Sequence, residues 1–249
     1  MIRGEIIWVT GASSGIGQEL ARQLASAGNS VIASARNPVP LERMAQAFPN
    51  ILPLIFDVAD DMSIATTREK LNAITDHLDR VILNAGTCEY LDIHAPDWSL
   101  IGKMCAVNCA GMANTLAASL ELLKNAKSPH VIGVSSQVVN APFPRAEAYG
   151  ASKAAATYLL DSLRMDLKQF NVDVSILFPG FVDTPLTRRN DFPMPFLMSA
   201  DVAAARMIRH IEKRPFHYAF PRRLGVVLWF ARSMPSLWLR LNTGSRSKT

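Results

Sequence analysis

Cysteine is scarce in this chain: three among 249 residues, Cys88, Cys105 and Cys109, with no Cys-x-x-Cys pair. An odd number without that pairing argues against a disulfide framework and a structural zinc site, and points to a reducing, cytoplasmic setting. Cys105 and Cys109 stand one helical turn apart, but no His or carboxylate at ligand spacing joins them. No metal is expected, and buried packing is their reading. A cleavable leader is also missing, because Met1 to Glu5 run directly into an apolar strand. Acid is absent from residues 222 to 249, which hold Arg222, Arg223, Arg232, Arg240, Arg246 and Lys248. Of the net charge of +5, that tail carries +6 and leaves −1 for residues 1 to 221. A nucleic-acid-binding body is thereby excluded, since the basicity belongs to the tail.

What is present fits one large globular domain spanning 1–249. Hydrophobic residues make up 49% and charged residues 19%, which rules out disorder and low complexity. Short apolar runs rich in β-branched residues alternate with longer helical patterns: Ile6 to Val9, Ser30 to Ser34, Ile51 to Phe56, Arg80 to Leu83, His130 to Ser135 and Asp173 to Phe178. Strand and helix in alternation predict an α/β fold with a doubly wound parallel sheet, helices on both faces and right-handed crossovers. Ligands of such sheets bind at the carboxyl ends of the strands. After about residue 190 proline and aromatics increase, which reads as elaboration of the same domain.

Directly after the first strand comes Thr10-Gly11-Ala12-Ser13-Ser14-Gly15-Ile16-Gly17, followed by a helical pattern from Gln18 to Ala27. Glycine permits the tight turn and close backbone approach, while free N–H groups and the positive end of the helix dipole face an anion. Placed between a first strand and a first helix, the turn predicts a dinucleotide pyrophosphate site in a Rossmann-type sheet. The second strand ends in Ala33-Ser34-Ala35-Arg36, without the Asp or Glu that would hold free ribose hydroxyls. Arg36 instead suits a 2′-phosphate, which favours NADP(H) over NAD(H). Asp57, in Phe56-Asp57-Val58, is placed to bond the adenine amino group. Asn84-Ala85-Gly86 offers small residues where the backbone approaches the cofactor.

The strand from His130 ends in Ser135-Ser136, and thirteen residues after Ser136 comes Tyr149-Gly150-Ala151-Ser152-Lys153. The i, i+4 spacing puts Tyr149 and Lys153 on one helix face. A nearby ammonium favours the phenolate, so Lys153 is expected to bring Tyr149 down from its ordinary range toward neutrality. Lys153 also suits the ribose hydroxyls of the nicotinamide nucleotide. Ser136 suits a substrate oxygen on which charge develops.

These motifs together resemble the classical short-chain dehydrogenase/reductase family. The resemblance runs from about residue 6 to about residue 185, through Gly11, Gly15 and Gly17, Asn84-Ala85-Gly86, and Pro179-Gly180. It implies a catalytic tetrad of Asn108, Ser136, Tyr149 and Lys153, with Asn108 at a break in its helix holding a water that relays protons to Lys153. It also implies Val182 and Thr184 at the nicotinamide carboxamide, and a homodimer or homotetramer built on the helices of Asn108 and Lys153. Leu83 departs from the pattern, where many members have a second Asn.

By the same resemblance residues 183–200 form a mobile substrate loop. Its Phe and Met residues either line a pocket for a lipophilic carbonyl or alcohol or pack the loop on the core. Arg188 and Arg189 read as solvated. The extension 222–249 has two readings. Its uncharged run Leu224 to Ala231 has eight residues, against about twenty needed to cross a bilayer. Trp229, Phe230, Leu237 and Trp238 interleaved with arginines describe either a helix packed on the sheet or another subunit, or a segment at the inner face of a membrane through 222–241. Past Asn242 a frayed end is expected. The activity expected is reduction of a carbonyl with NADPH; the alternatives are a redox-sensing NADP(H)-binding protein without turnover and a peripheral membrane partner.

Overall fold

The computed structural model describes residues 2–243. The expected end beyond Asn242, and with it Arg246 and Lys248, lies almost wholly outside the described residues. The parallel sheet is built from β1 (Ile6–Thr10), β2 (Ser30–Ala35), β3 (Ile51–Ile55), β4 (Arg80–Leu83), β5 (His130–Val134) and β6 (Asp173–Pro179). A seventh strand, β9 (His217–Phe220), which the sequence pattern missed, completes the sheet. The order β3-β2-β1-β4-β5-β6-β9 places the topological switch between β1 and β4.

Successive side chains of a strand point to opposite faces, and both faces here are covered. On β1, Ile7 and Val9 join the core under α1 (Gly15–Ser26), α2 (Pro38–Ala47) and α7 (Ala200–Ile211). Trp8 joins the core on the other side, under α3 (Ile64–Ile74), α5 (Gly111–Lys124) and α6 (Glu147–Leu167). In α1, Leu20, Ala21, Leu24 and Ala25 supply the buried stripe at helical spacing. Helix α6 lies so close to the sheet that a Cβ on Gly133 of β5 would overlap Leu160 Cδ1. Two turns earlier on α6, Lys153 reaches the Val134 carbonyl at the end of β5.

Between α4 (Ser99–Cys105) and α5 the chain makes a π turn, Ala106–Ala110. The strands β7 (Val182–Asp183) and β8 (Met198–Ser199) pair with each other and bracket the segment between them. The tail forms α8 (Arg222–Ser233) and α9 (Pro235–Thr243). Leu224, Leu228 and Ala231 of α8 pack with Ala141, Phe143, Phe181 and Trp238, so the tail is helical and docked along one side. Cys88, Cys105 and Cys109 are only partly buried, short of the full burial expected, and the π turn changes the spacing of the last two. Among the described residues no cluster suits a metal.

Candidate active site

A cavity of about 560 Å³ opens at the carboxyl ends of the strands. One wall is the turn between β1 and α1. Gly11 has φ of +68°, and a Cβ there would come within 2.7 Å of Ala85 Cα. A Cβ on Gly15 would lie 3.0 Å from Thr184 Cγ2, and one on Gly17 would overlap the Gly11 carbonyl. The turn is therefore shaped by what surrounds it as much as by what it faces. Asn84 stitches it to β4: its amide donates to the carbonyls of Thr10 at 3.0 Å and Gly11 at 3.3 Å. Thr10 Oγ1 in turn accepts from the N–H groups of Asn84 and Ala85. Ser14 caps α1 in extended conformation without a side-chain bond into the helix, so the first-turn N–H groups remain available at the cavity.

Every residue expected to hold a dinucleotide lines this cavity: Gly11, Ser13, Ser14, Gly15, Ile16 and Gly17; Arg36; Asp57 and Val58; Asn84, Ala85 and Gly86; Pro179, Gly180, Val182 and Thr184. Arg36 is exposed at the end of β2. Asp57 is partly buried and accepts from the Ala59 N–H at 3.0 Å.

The same cavity reaches Ser136, Tyr149 and Lys153. Ser136 follows β5 and caps a short turn, its Oγ accepting from the Val138 N–H at 3.2 Å while also reaching the Tyr149 hydroxyl. Ser135 is tied to Thr157 of α6 at 2.8 Å instead. Lys153 Nζ donates to the Val134 carbonyl at 2.9 Å. Burial lowers the Lys153 ammonium to about 8, partly opposed by the neighbouring Cys88. The expected lowering of Tyr149 is not found. Burial and the Cys88 thiol push its phenol above the ordinary range, with the Ser136 hydroxyl opposing them. The cost of a buried phenolate outweighs any pull from Lys153, whose Nζ is engaged by Val134.

Asn108 is fully buried in the π turn and does not line the cavity. Its side-chain amide is committed: Oδ1 accepts from the Thr87 N–H at 2.8 Å, and Nδ2 donates to the Thr87 carbonyl and to Ser152 Oγ, both at 2.9 Å. A Cβ on Gly86 would sit 3.1 Å from Asn108 Oδ1 and 3.3 Å from Lys153 Nζ, so a side chain there would crowd both groups.

A family model for short chain dehydrogenases matches residues 5–192. The chain belongs to the short-chain dehydrogenase/reductase family. An uncharacterized oxidoreductase of Myxococcus xanthus is 35% identical over 232 residues, 92% of each chain. An alcohol dehydrogenase structure from Thermococcus sibiricus, complexed with 5-hydroxy-NADP, is 25% identical with a TM-score of 0.77, covering 87% of this chain and 95% of its own. A short-chain dehydrogenase/reductase of Burkholderia phymatum in complex with NAD shares the fold at a TM-score of 0.85 and 18% identity, covering 95% and 96%. This family member is thus an oxidoreductase with a site of nicotinamide-binding type.

Sequence reasoning overlooked the rim that follows Gly86. Cys88 and Tyr90 are hydrogen-bonded to each other and border Tyr149. Tyr90 also reaches Asn190, and its ring meets Phe192 edge-on at 5.4 Å. Arg145 forms a two-pronged pair with Asp191 at 2.8 and 2.9 Å and lies over the Tyr90 ring. Thr87 to Tyr90 follow Asn84-Ala85-Gly86 just beyond the carboxyl end of β4, and that position was the available signal. Arg188 and Arg189 are exposed, as expected, and Arg188 also forms a surface pair with Asp183 at 2.8 Å.

Proposed function

We propose that this family member is an NADPH-dependent reductase that converts a lipophilic ketone or aldehyde to its alcohol. The observation that carries the reading is the meeting of Ser136, Tyr149 and Lys153 in one cavity with a glycine turn and Arg36. The residues suit a dinucleotide: the uncapped first turn of α1, with Gly11, Ser13, Ser14, Gly15, Ile16 and Gly17, for the pyrophosphate; Arg36 for a 2′-phosphate; Asp57 and Val58 for the adenine. Asn84 to Gly86, Pro179, Gly180, Val182 and Thr184 would border the nicotinamide end. When bound, the cofactor supplies a hydride to the carbonyl carbon.

The chain's own residues manage the oxygen. Ser136 donates a hydrogen bond to the carbonyl oxygen and steadies the negative charge that grows on it. Tyr149 then gives that oxygen its proton. Burial keeps the phenol protonated until it is needed, which suits an acid. Once the proton has gone, the phenolate needs a cation, and Lys153, one turn along α6, is that cation while it holds its own proton. Met104, Val107 and Leu186 line the cavity, and Tyr90, which borders Tyr149, packs on Phe192, an apolar side that favours a lipophilic substrate.

The test is NADPH oxidation by the purified protein against soluble ketones and aldehydes. Tyr149→Phe is expected to lower turnover about a thousandfold while NADPH still binds. Retained turnover in that variant would remove the reading. Arg36→Asp is expected to weaken NADPH by roughly ten- to a hundredfold and leave NADH use intact.

A further inference from the structure

Helices α8 and α9 are the largest feature that the cleft chemistry leaves unused. Helix α8 is apolar on two sides. Leu224, Leu228 and Ala231 are buried, yet Val226, Val227, Trp229 and Phe230 are 57%, 48%, 61% and 52% exposed. Met234 follows, and α9 adds exposed Leu237 and Leu241, while Leu239, on the opposite side of α9, lines a cavity against α6. Residues 222 to 243 hold four arginines, Arg222, Arg223, Arg232 and Arg240, and no carboxylate side chain. All four are exposed, and none forms an ion pair among the described residues. A helix that shows water so much aromatic and aliphatic surface has a second partner for it.

We infer that α8 and α9 dock on the surface of an anionic phospholipid bilayer. Charge selects this occupant. A second copy pairing through the same face would set arginine against arginine with no acid in either segment to neutralise it. Lipid phosphates supply the missing negative charge and accept the guanidinium fork, while the acyl boundary receives Trp229, Phe230, Leu237 and Leu241. The helices lie on the surface and do not cross it: among the described residues no helix is long and apolar enough to span a membrane. The buried side of α8 begins beside the cleft. Gly180 lines the cavity, and a Cβ on it would come within 2.7 Å of Leu224 Cδ2 at the start of α8. The inference stands apart from the reaction proposed above, because binding to lipid requires no turnover.

The full-length chain is mixed with vesicles of phosphatidylcholine alone, or with about one third phosphatidylserine, and pelleted while tryptophan emission is followed. The chain is expected to pellet with the anionic vesicles, with a blue-shifted emission, and to be released at about 0.5 M NaCl. Trp229→Glu/Phe230→Glu is expected to bind at least about tenfold more weakly, and Arg222→Gln/Arg223→Gln to lose the preference for anionic lipid. Circular dichroism and thermal melting check that each variant is folded; the arginine pair, being fully outside the core, gives the decisive result if the first variant is not. Failure of the wild-type chain to pellet, equal pelleting with both vesicle types, or unaltered binding by the folded variants would overturn the proposal. So would a dimer in sedimentation that Trp229→Glu/Phe230→Glu breaks, with no pelleting, since the face would then belong to a second copy.

Discussion

Tyr149 and Lys153 share one face of α6, and burial moves them in opposite senses, the phenol up and the ammonium down to about 8. A pH dependence follows. The proposed reduction would need Tyr149 protonated and Lys153 charged, and both hold below about pH 8. As pH rises through that value Lys153 loses its proton first, because Tyr149 titrates higher. The value of kcat/KM for carbonyl reduction is therefore expected to be level from about pH 6 to 7.5 and to decline above about 8. Lys153→Arg, which keeps its charge, should move the decline to higher pH, and a decline in the same place would show that Lys153 is not its source. The spacing of this pair was legible in the sequence because helical geometry fixes it. The direction of the Tyr149 shift was not, because it depends on which surfaces cover the ring and on Nζ turning to the Val134 carbonyl.

At the scale of elements, the segment between β7 and β8 is held at three places. Its ends are paired through Val182 with Met198 and Asp183 with Ser199. Its middle is held by Arg145 on Asp191 and Tyr90 on Phe192. Arg145 adopts φ of +68°, a conformation disfavoured for a residue with a side chain, and its carbonyl accepts from the Leu91 N–H at 3.0 Å. Arg145→Ala should free the middle of the segment, raising KM for the carbonyl about fivefold with little change in melting temperature. Faster proteolytic cutting between residues 186 and 197 would accompany it, and an unchanged KM would show that the clasp does not govern substrate entry. The helix–strand alternation up to β6 was plain in the sequence because strands buried on both faces are continuous apolar runs. β9 was not: His217-Tyr218-Ala219-Phe220 has no β-branched residue and pairs on one side only. The clasp was hidden for another reason, since Tyr90, Arg145 and Asp191 are far apart in the chain and meet only through tertiary structure.

Across the whole molecule, one buried polar chain runs through the sheet at the ends opposite the cleft. Glu5 accepts from Arg80 at 2.9 Å, Arg80 donates to His130 Nδ1 at 2.7 Å, and His130 Nε2 meets Ser175 at 2.8 Å. Burial, with Arg80 and Arg214 nearby, holds His130 well below the ordinary imidazole range, so it stays neutral in the folded chain. An unfolded chain takes up that proton as pH falls below about 6.5, while the native one refuses it. Stability from this residue is thus complete at neutral pH and declines as pH drops. The melting temperature should fall between about pH 7 and 5, and His130→Gln should flatten that slope. An unchanged slope in a folded variant would assign the acid sensitivity elsewhere. The opposite end of the sheet has been prepared in another way. Because Asn84 locks the carbonyls of Thr10 and Gly11 to β4, the turn that would receive a pyrophosphate is a finished mould. Such a ligand would arrive at a surface whose ordering was completed during folding, so association would be limited by encounter and dehydration, with no segment left to fold around it.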